Sequence, residues 1–64
     1  MPDRLRVSGF GRKNALGKRV QDPNTGEEYT LTHIHRWDVT CEDEIRSQVH
    51  FRRAYFNNFY VLNP

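Results

Sequence analysis

The sequence has a single cysteine, Cys41, and no apolar run that approaches the length of a membrane span. One thiol excludes an internal disulfide bond, and a helix that crosses a bilayer needs about 18 consecutive apolar residues. The basic N-terminal segment is also not followed by the apolar stretch of a secretion signal. From these absences we expect a cytoplasmic or virion-interior protein without a membrane partner.

The chain also lacks the motifs that hold common cofactors. Gly9-Phe10-Gly11 has neither the third glycine nor the strand-to-helix context of a phosphate-binding loop. The 64 residues suit one small domain, 1–64, and a chain of this size buries only about 60% of the surface that its unfolded form exposes. We therefore expect no deep cleft for a small-molecule substrate and no cofactor.

The charges lie in three blocks of alternating sign, which the formal net charge of +2 conceals. Residues 1–19 hold six basic side chains against one acid, residues 20–44 hold seven acids against one base, and residues 45–64 hold three arginines. The three blocks therefore carry +5, −6 and +3. A dipolar chain of this kind is more typical of a binding protein than of a catalyst.

Local patterns in the first half of the chain predict a hairpin. Residues 4–7 alternate polar and apolar side chains, as a short strand does, whereas the polar, glycine-containing residues 8–18 suit a mobile basic loop. Asp22-Pro23-Asn24-Thr25-Gly26 has the residues of a tight turn, with Gly26 available for a positive φ. We expect this turn to pair about 17–21 with 27–31.

Two further strands are predicted downstream of the turn. Residues 28–39 are rich in Thr, Tyr, Ile, Trp and Val, which fit a pleated surface. Their odd positions, from Tyr29 to Val39, share one face, which we expect to be the core face. Residues 59–62 form a last short strand in this interpretation.

Residues 41–56 fit two conformations. As a helix, the segment has Thr40 as its N-cap, acids 42–44 at the positive end of the dipole and basic residues 52–53 at the other. As a strand, residues 45–52 alternate apolar and polar side chains over most of their length. The agreement of cap and charges favours the helix. The expected fold is α+β, a three- or four-stranded antiparallel sheet with one helix at about 41–56. The alternative is an all-β small barrel of SH3-like or OB-like form in which 45–56 is a strand.

Catalytic and metal-binding chemistry have little support in the sequence. His33, His35, Cys41 and His50 carry ligand atoms for zinc, but no Cys-x-x-Cys pair or second close pair accompanies them. They remain weak metal candidates, and we expect no metal. Cys41 stands beside three acids, whereas a reactive thiolate needs positive surroundings. We expect a protein that is not an enzyme.

Binding is the function that the residues favour. Five of the eight aromatic side chains fall between residues 51 and 60, and those outside the core would present an aromatic surface. One hypothesis is a small interaction protein, such as a phage-type accessory factor or a minor subunit of an assembly, that docks on a protein partner through aromatic surface and opposed charge patches. The alternative is a nucleic-acid-binding module that uses the basic loop 4–19. The candidate binding residues are Arg4, Arg6, Phe10, Arg12, Lys13, Lys18, Arg19, Tyr55 and Tyr60.

Overall fold

A computed structural model describes residues 4–64 as one antiparallel sheet with three helical turns inserted between its strands. The elements are β1 (Arg4–Arg6), α1 (Val7–Phe10), α2 (Arg12–Ala15), β2 (Arg19–Gln21), β3 (Glu28–Ile34), β4 (Asp38–Glu42), β5 (Gln48–Arg52), α3 (Arg53–Phe56) and β6 (Tyr60–Leu62). The sheet has the order β1-β6-β2-β3-β4-β5. The last strand therefore lies between the first two, and residues far apart in sequence meet there.

The predicted fold class is wrong, because the sheet has six strands and no helix covers 41–56. Residues 38–42 and 48–52 are neighbouring strands, paired from Asp38↔Arg52 to Glu42↔Gln48. The strand alternative for 45–56 was also too long, since β5 covers five residues and α3 follows it directly. Tertiary pairing outweighs the helix signals because Val39 and Cys41 are fully buried between their neighbours as strand residues.

Of the three acids that suggested a helix N-terminus, Glu42 ends β4, and Asp43 and Glu44 lie in a tight turn. Oδ1 of Asp43 accepts the backbone N–H groups of Ile45 at 3.0 Å and Ser47 at 2.9 Å. Arg46 takes a positive φ of 64° in the same turn. Aspartate is favoured both at helix N-caps and in turns because its short side chain accepts backbone hydrogen bonds. The acidic residues therefore did not distinguish a helix start from a turn.

The predicted hairpin is confirmed. β2 pairs with β3 in the register Arg19↔Thr30 to Gln21↔Glu28. Gly26 closes the turn between them at φ 76°, and its N–H donates to the carbonyl of Asp22 at 2.8 Å. The predicted last strand also exists, as β6.

A bulge in β3 changes which side chains face the core. Leu31 pairs with Cys41, but His33 pairs with Thr40, so β3 has one extra residue at Thr32. The odd-position face was therefore predicted correctly for Leu31 and wrongly for His33, which is exposed. Past the bulge, Ile34 packs against the core instead.

The predicted strand 28–39 is in fact two strands, joined by residues 35–37. Trp37, assigned to the core face, lies at this connection and is 72% exposed. The core itself consists of Val7, Ala15, Val20, Tyr29, Leu31, Val39, Cys41, Phe56, Phe59 and Val61.

The basic segment predicted as a mobile loop, 8–18, contains α2 and all of α1 except Val7, and the two helices pack onto the core through Val7 and Ala15. Its mobility stays a prediction. None of the helices within residues 4–64 has the length and apolar character needed to cross a membrane.

Candidate functional site

The basic side chains of residues 4–19 are distributed over separate parts of the fold. Arg4 and Arg6 lie over the ring of Tyr60, with guanidinium carbons 4.3 and 4.9 Å from its centroid. Nη1 of Arg4 donates to Oε1 of Gln21 at 3.0 Å. Tyr60, predicted as a surface contact, is thus half-buried beneath two arginines at the β1 edge of the sheet.

Two other predicted cations, Arg19 and Lys18, have different surroundings. Arg19 on β2 forms an ion pair with Glu28 at 3.1 Å and a longer one with Glu44 at 3.9 Å. Lys18 is exposed at the end of the helical segment. Gln21, which accepts from Arg4, is two residues farther along β2 and shares a sheet face with Arg19. The charge of Arg19 is partly neutralised by Glu28 and Glu44.

The remaining cations, Arg12 and Lys13, line an open groove of about 430 Å³. We call it the basic groove; its lining residues are Gly11, Arg12, Lys13, Ile34, His35 and Arg53. No acid is among these lining residues. The lining therefore combines three cations with one apolar residue, Ile34, which favours an anionic ligand that also carries an apolar group.

One wall of the basic groove is fixed by the short helices. Gly11 separates α1 from α2 at φ 96°, a conformation that an L side chain rarely adopts. The N–H of Val7 donates to the carbonyl of Phe59 at 2.8 Å and so attaches α1 to the chain before β6. Nη1 of Arg12 donates to Oδ1 of Asn57 at 2.9 Å. The Arg12 side chain is therefore held in place at the groove.

The opposite wall comes from the start of α3. The backbone N–H of Arg53 donates to the carbonyl of Trp37 at 3.0 Å, and its Nη1 donates to the carbonyl of Arg36. Arg36 in turn lies 5.2 Å from the Trp37 ring. Arg53 thus connects the groove to an exposed tryptophan and a fourth cation.

The floor of the basic groove depends on the β3 bulge, because the bulge turns Ile34 toward the interior. His35 follows it, and its Nε2 lies 2.9 Å from Oγ1 of Thr40. The same hydroxyl lies 3.0 Å from Nδ1 of His50. Thr40 is only 3% exposed, so its hydroxyl holds both imidazoles in fixed positions.

The weak metal candidates are divided between the two faces of the sheet. His33, His35 and His50 lie on the face of Thr40, whereas Cys41, its neighbour on β4, is buried in the core on the other face. Within residues 4–64 no three His, Cys, Asp or Glu side chains form a group that could hold a metal ion.

Cys41 is chemically protected. Burial raises the pKa of its thiol from an ordinary 9.0 to about 12. The cause is the removal of the sulfur from water and not the three acids that follow Cys41 in the sequence. At neutral pH the thiol stays protonated and out of reach of a substrate.

A second groove, of about 420 Å³, has the opposite charge. We call it the acidic groove; its lining residues are Gly26, Glu27, Glu28, Tyr29, Asp43, Glu44 and Ile45. The hydroxyl of Tyr29 donates to Oε2 of Glu27 at 2.7 Å. This hydrogen bond, followed by burial and the nearby carboxylates, raises the pKa of Tyr29 to about 12. The phenol therefore stays neutral at physiological pH and does not add to the acids around it.

The predicted aromatic surface is mostly used inside the fold. Phe51, Tyr55 and Phe59 pack together with ring centroids 4.9 to 5.9 Å apart. The hydroxyl of Tyr55 donates to the carboxylate of Asp22, at 2.8 and 3.0 Å from its two oxygens. Phe10 packs partly buried against the core. These rings mainly stabilise the fold, and 37% of Tyr55 remains exposed to solvent.

The large apolar side chains with the most exposure are different ones. Ile45 is 82% exposed and Trp37 is 72% exposed. Sequence reasoning missed both, and it missed Ile34 and Arg53 as groove residues. Arg53 left one signal, because the strand alternation of β5 breaks there. Nothing local marks Ile34, whose direction is set by the bulge.

Comparison of this chain with protein-family models, with curated proteins and with solved structures found no match.

Proposed function

We propose that this protein is a non-enzymatic interaction protein that binds an acidic segment of a protein partner in its basic groove. The observation that carries the proposal is that Arg12, Lys13 and Arg53 line the same groove as Ile34. Residues forty positions apart in sequence thus contribute cations to the lining of one groove, while the Nη1 atoms of Arg12 and Arg53 also donate to Asn57 and to the carbonyl of Arg36. A peptide with carboxylates beside an aliphatic side chain satisfies both parts of this lining.

The placement of the acids supports a protein partner over a nucleic acid. Glu28 lines the acidic groove and Ile34 lines the basic groove, at the two ends of the seven-residue strand β3. At about 3.3 Å per residue the two grooves are about 20 Å apart. A phosphate backbone extending beyond the basic groove along β3 would meet four carboxylates, which repel it.

Nucleic-acid binding is the second candidate because of Trp37. The ring is 72% exposed beside the Arg53 wall of the groove, and base stacking on an exposed aromatic ring stabilises single-strand complexes by about 1–3 kcal/mol per base. A short single strand confined to Trp37, Arg36 and the basic groove avoids the acidic end of the molecule.

Fluorescence anisotropy with two labelled probes tests the two functions. The probes are an acidic peptide that contains isoleucine and a single-stranded oligothymidylate. We expect the peptide to bind more tightly at physiological salt, and we expect Lys13→Glu and Arg53→Glu each to weaken it about tenfold or more. The matched controls are Lys18→Glu and Arg52→Glu, which make the same charge change outside the groove lining.

The outcomes separate the two candidates. Equal loss of peptide binding in the control variants would show that overall charge, and not the groove, attracts the peptide, and the proposal would fail. Tighter binding of oligothymidylate, with a steep dependence on salt and loss on Trp37→Ala, would replace the protein partner with a nucleic acid.

A further inference from the structure

The turn between β4 and β5 presents the two kinds of side chain that the basic groove is proposed to bind, an acid and an apolar residue. Glu44 is a strongly exposed acid, with 81% of its side chain in solvent, and the adjacent Ile45 is 82% exposed. A carboxylate and an aliphatic side chain therefore project next to each other. The basic groove offers Lys13 and Arg53 for the first and Ile34 for the second.

The turn is also rigid before it meets any partner. Its backbone is tied to the carboxylate of Asp43, which accepts hydrogen bonds from the N–H groups of Ile45 and Ser47. The N–H of Arg46 donates to the carbonyl of Asp43 at 3.0 Å. A preorganised loop loses little conformational entropy on binding. Binding in the groove would break the 3.9 Å ion pair between Glu44 and Arg19. Such an exposed ion pair contributes little to stability.

The turn cannot reach the groove of its own chain, because the acidic and basic grooves are at opposite ends of β3. We infer that the turn 43–47 of one copy enters the basic groove of a second copy, so that the chain associates head to tail. This inference rests on the proposed function, since it names the acidic segment that the basic groove binds. A head-to-tail contact leaves one free groove and one free turn on every pair, so association continues until a ring closes or a filament grows.

The contact is expected to be weak. A stable interface buries about 800 Å² on each partner, whereas the whole chain exposes 4499 Å², and one turn in one groove covers much less than a fifth of that surface. Arg46 on the turn also reduces the negative charge next to Glu44. Association should therefore need high protein concentration and low salt.

Sedimentation velocity over a range of concentrations tests the contact. We expect the average mass of the wild-type chain to rise with concentration at low salt and to fall back to the monomer at high salt. Glu44→Lys and Arg53→Glu should each keep the chain monomeric. Arg52→Glu should associate like the wild type, because it changes the same charge one residue outside the groove.

Mixing the two monomeric variants is the decisive step. The groove of the Glu44→Lys chain is intact, and the turn of the Arg53→Glu chain is intact, so an equimolar mixture should recover association. A mixture that stays monomeric would overturn the inference, and so would a wild-type chain that stays monomeric at every concentration at low salt. Far-UV circular dichroism of each variant establishes that it is folded, and Ile45→Ser provides a second, uncharged disruption of the turn.

Failure of this inference can be told apart from failure of the proposed function. The Glu44→Lys chain keeps all the lining residues of the basic groove. If the wild type does not self-associate but Glu44→Lys still binds the acidic peptide, the groove has another protein partner and only the self-association falls. If neither is seen, both fall.

Discussion

Replacing Tyr55 by phenylalanine isolates one half-buried polar contact that holds the two halves of the chain together. The hydroxyl of Tyr55 donates to Asp22, at 2.8 and 3.0 Å from its carboxylate oxygens. It also accepts from Nδ2 of Asn24 at 3.1 Å. Asp22 is 3% exposed, so water replaces the lost donor poorly. The ring contacts of residue 55 with Phe51 and Phe59 are unchanged by the substitution.

The expected cost follows from these partners. A hydrogen bond to a charged group contributes about 1.5–3 kcal/mol, and Asp22 keeps the N–H of Asn24 at 2.8 Å as a second donor, which places the loss near the lower end. We expect Tyr55→Phe to lower the free energy of unfolding by about 1.5 kcal/mol. For a domain of this size that is a fall in melting temperature of about 6–12 °C.

Urea unfolding followed by far-UV circular dichroism measures the effect, since Trp37 is too exposed to report on the core. Tyr60→Phe is the matched control, because the Tyr60 hydroxyl makes no hydrogen bond within residues 4–64. A double-mutant cycle with Asp22→Ala should give a coupling energy of about 1 kcal/mol. The reasoning is refuted if Tyr55→Phe is no more destabilising than Tyr60→Phe. It is also refuted if the effects of Tyr55→Phe and Asp22→Ala on the free energy of unfolding are additive.

Two further predictions concern stability. Gly26→Val should lower the free energy of unfolding by about 1–3 kcal/mol. The cause is the φ of 76° at this residue, since no atom lies close to an added Cβ. An unchanged melting temperature would contradict this conformational cost. The free energy of unfolding should fall as pH rises from 9 to 12. The pKa of Cys41 is about 12 in the folded chain and 9.0 in the unfolded chain, so only the unfolded chain loses this proton in that window. Tyr29 adds to the fall between pH 10 and about 12 for the same reason. Each group contributes a slope of about 1.4 kcal/mol per pH unit in its window. Cys41→Ala should be less stable at neutral pH and flatter between pH 9 and 10, and a slope equal to that of the wild type would show that the thiol is not the cause.

The candidate site was only partly accessible to sequence reasoning. Arg12 and Lys13 were identified because a run of cations without nearby acids is visible along the chain. The partial neutralisation of Arg19 was not visible, since it depends on the ion pair that Arg19 forms with Glu28 across the β2–β3 pairing. The same holds for Arg53, which reaches the groove because its backbone N–H bonds to Trp37.

The sequence by itself determined the features that act within a few residues. The turn at Asp22 to Gly26, the hairpin it closes and the last strand follow from turn chemistry and from alternation, which are local properties of the chain. The order of the charge blocks is likewise visible in the sequence, and it indicated surfaces of opposite charge.

Only the tertiary structure decided the conformation of residues 41–56 and the composition of the basic groove. An acidic turn and a helix start use the same residues, and the choice between them was made by the pairing of Val39 and Cys41 with strands on both sides. The bulge at Thr32 then turned Ile34 inward. Both outcomes depend on contacts between segments that are distant along the chain, and the free energy of those contacts exceeds the local preferences that a sequence displays.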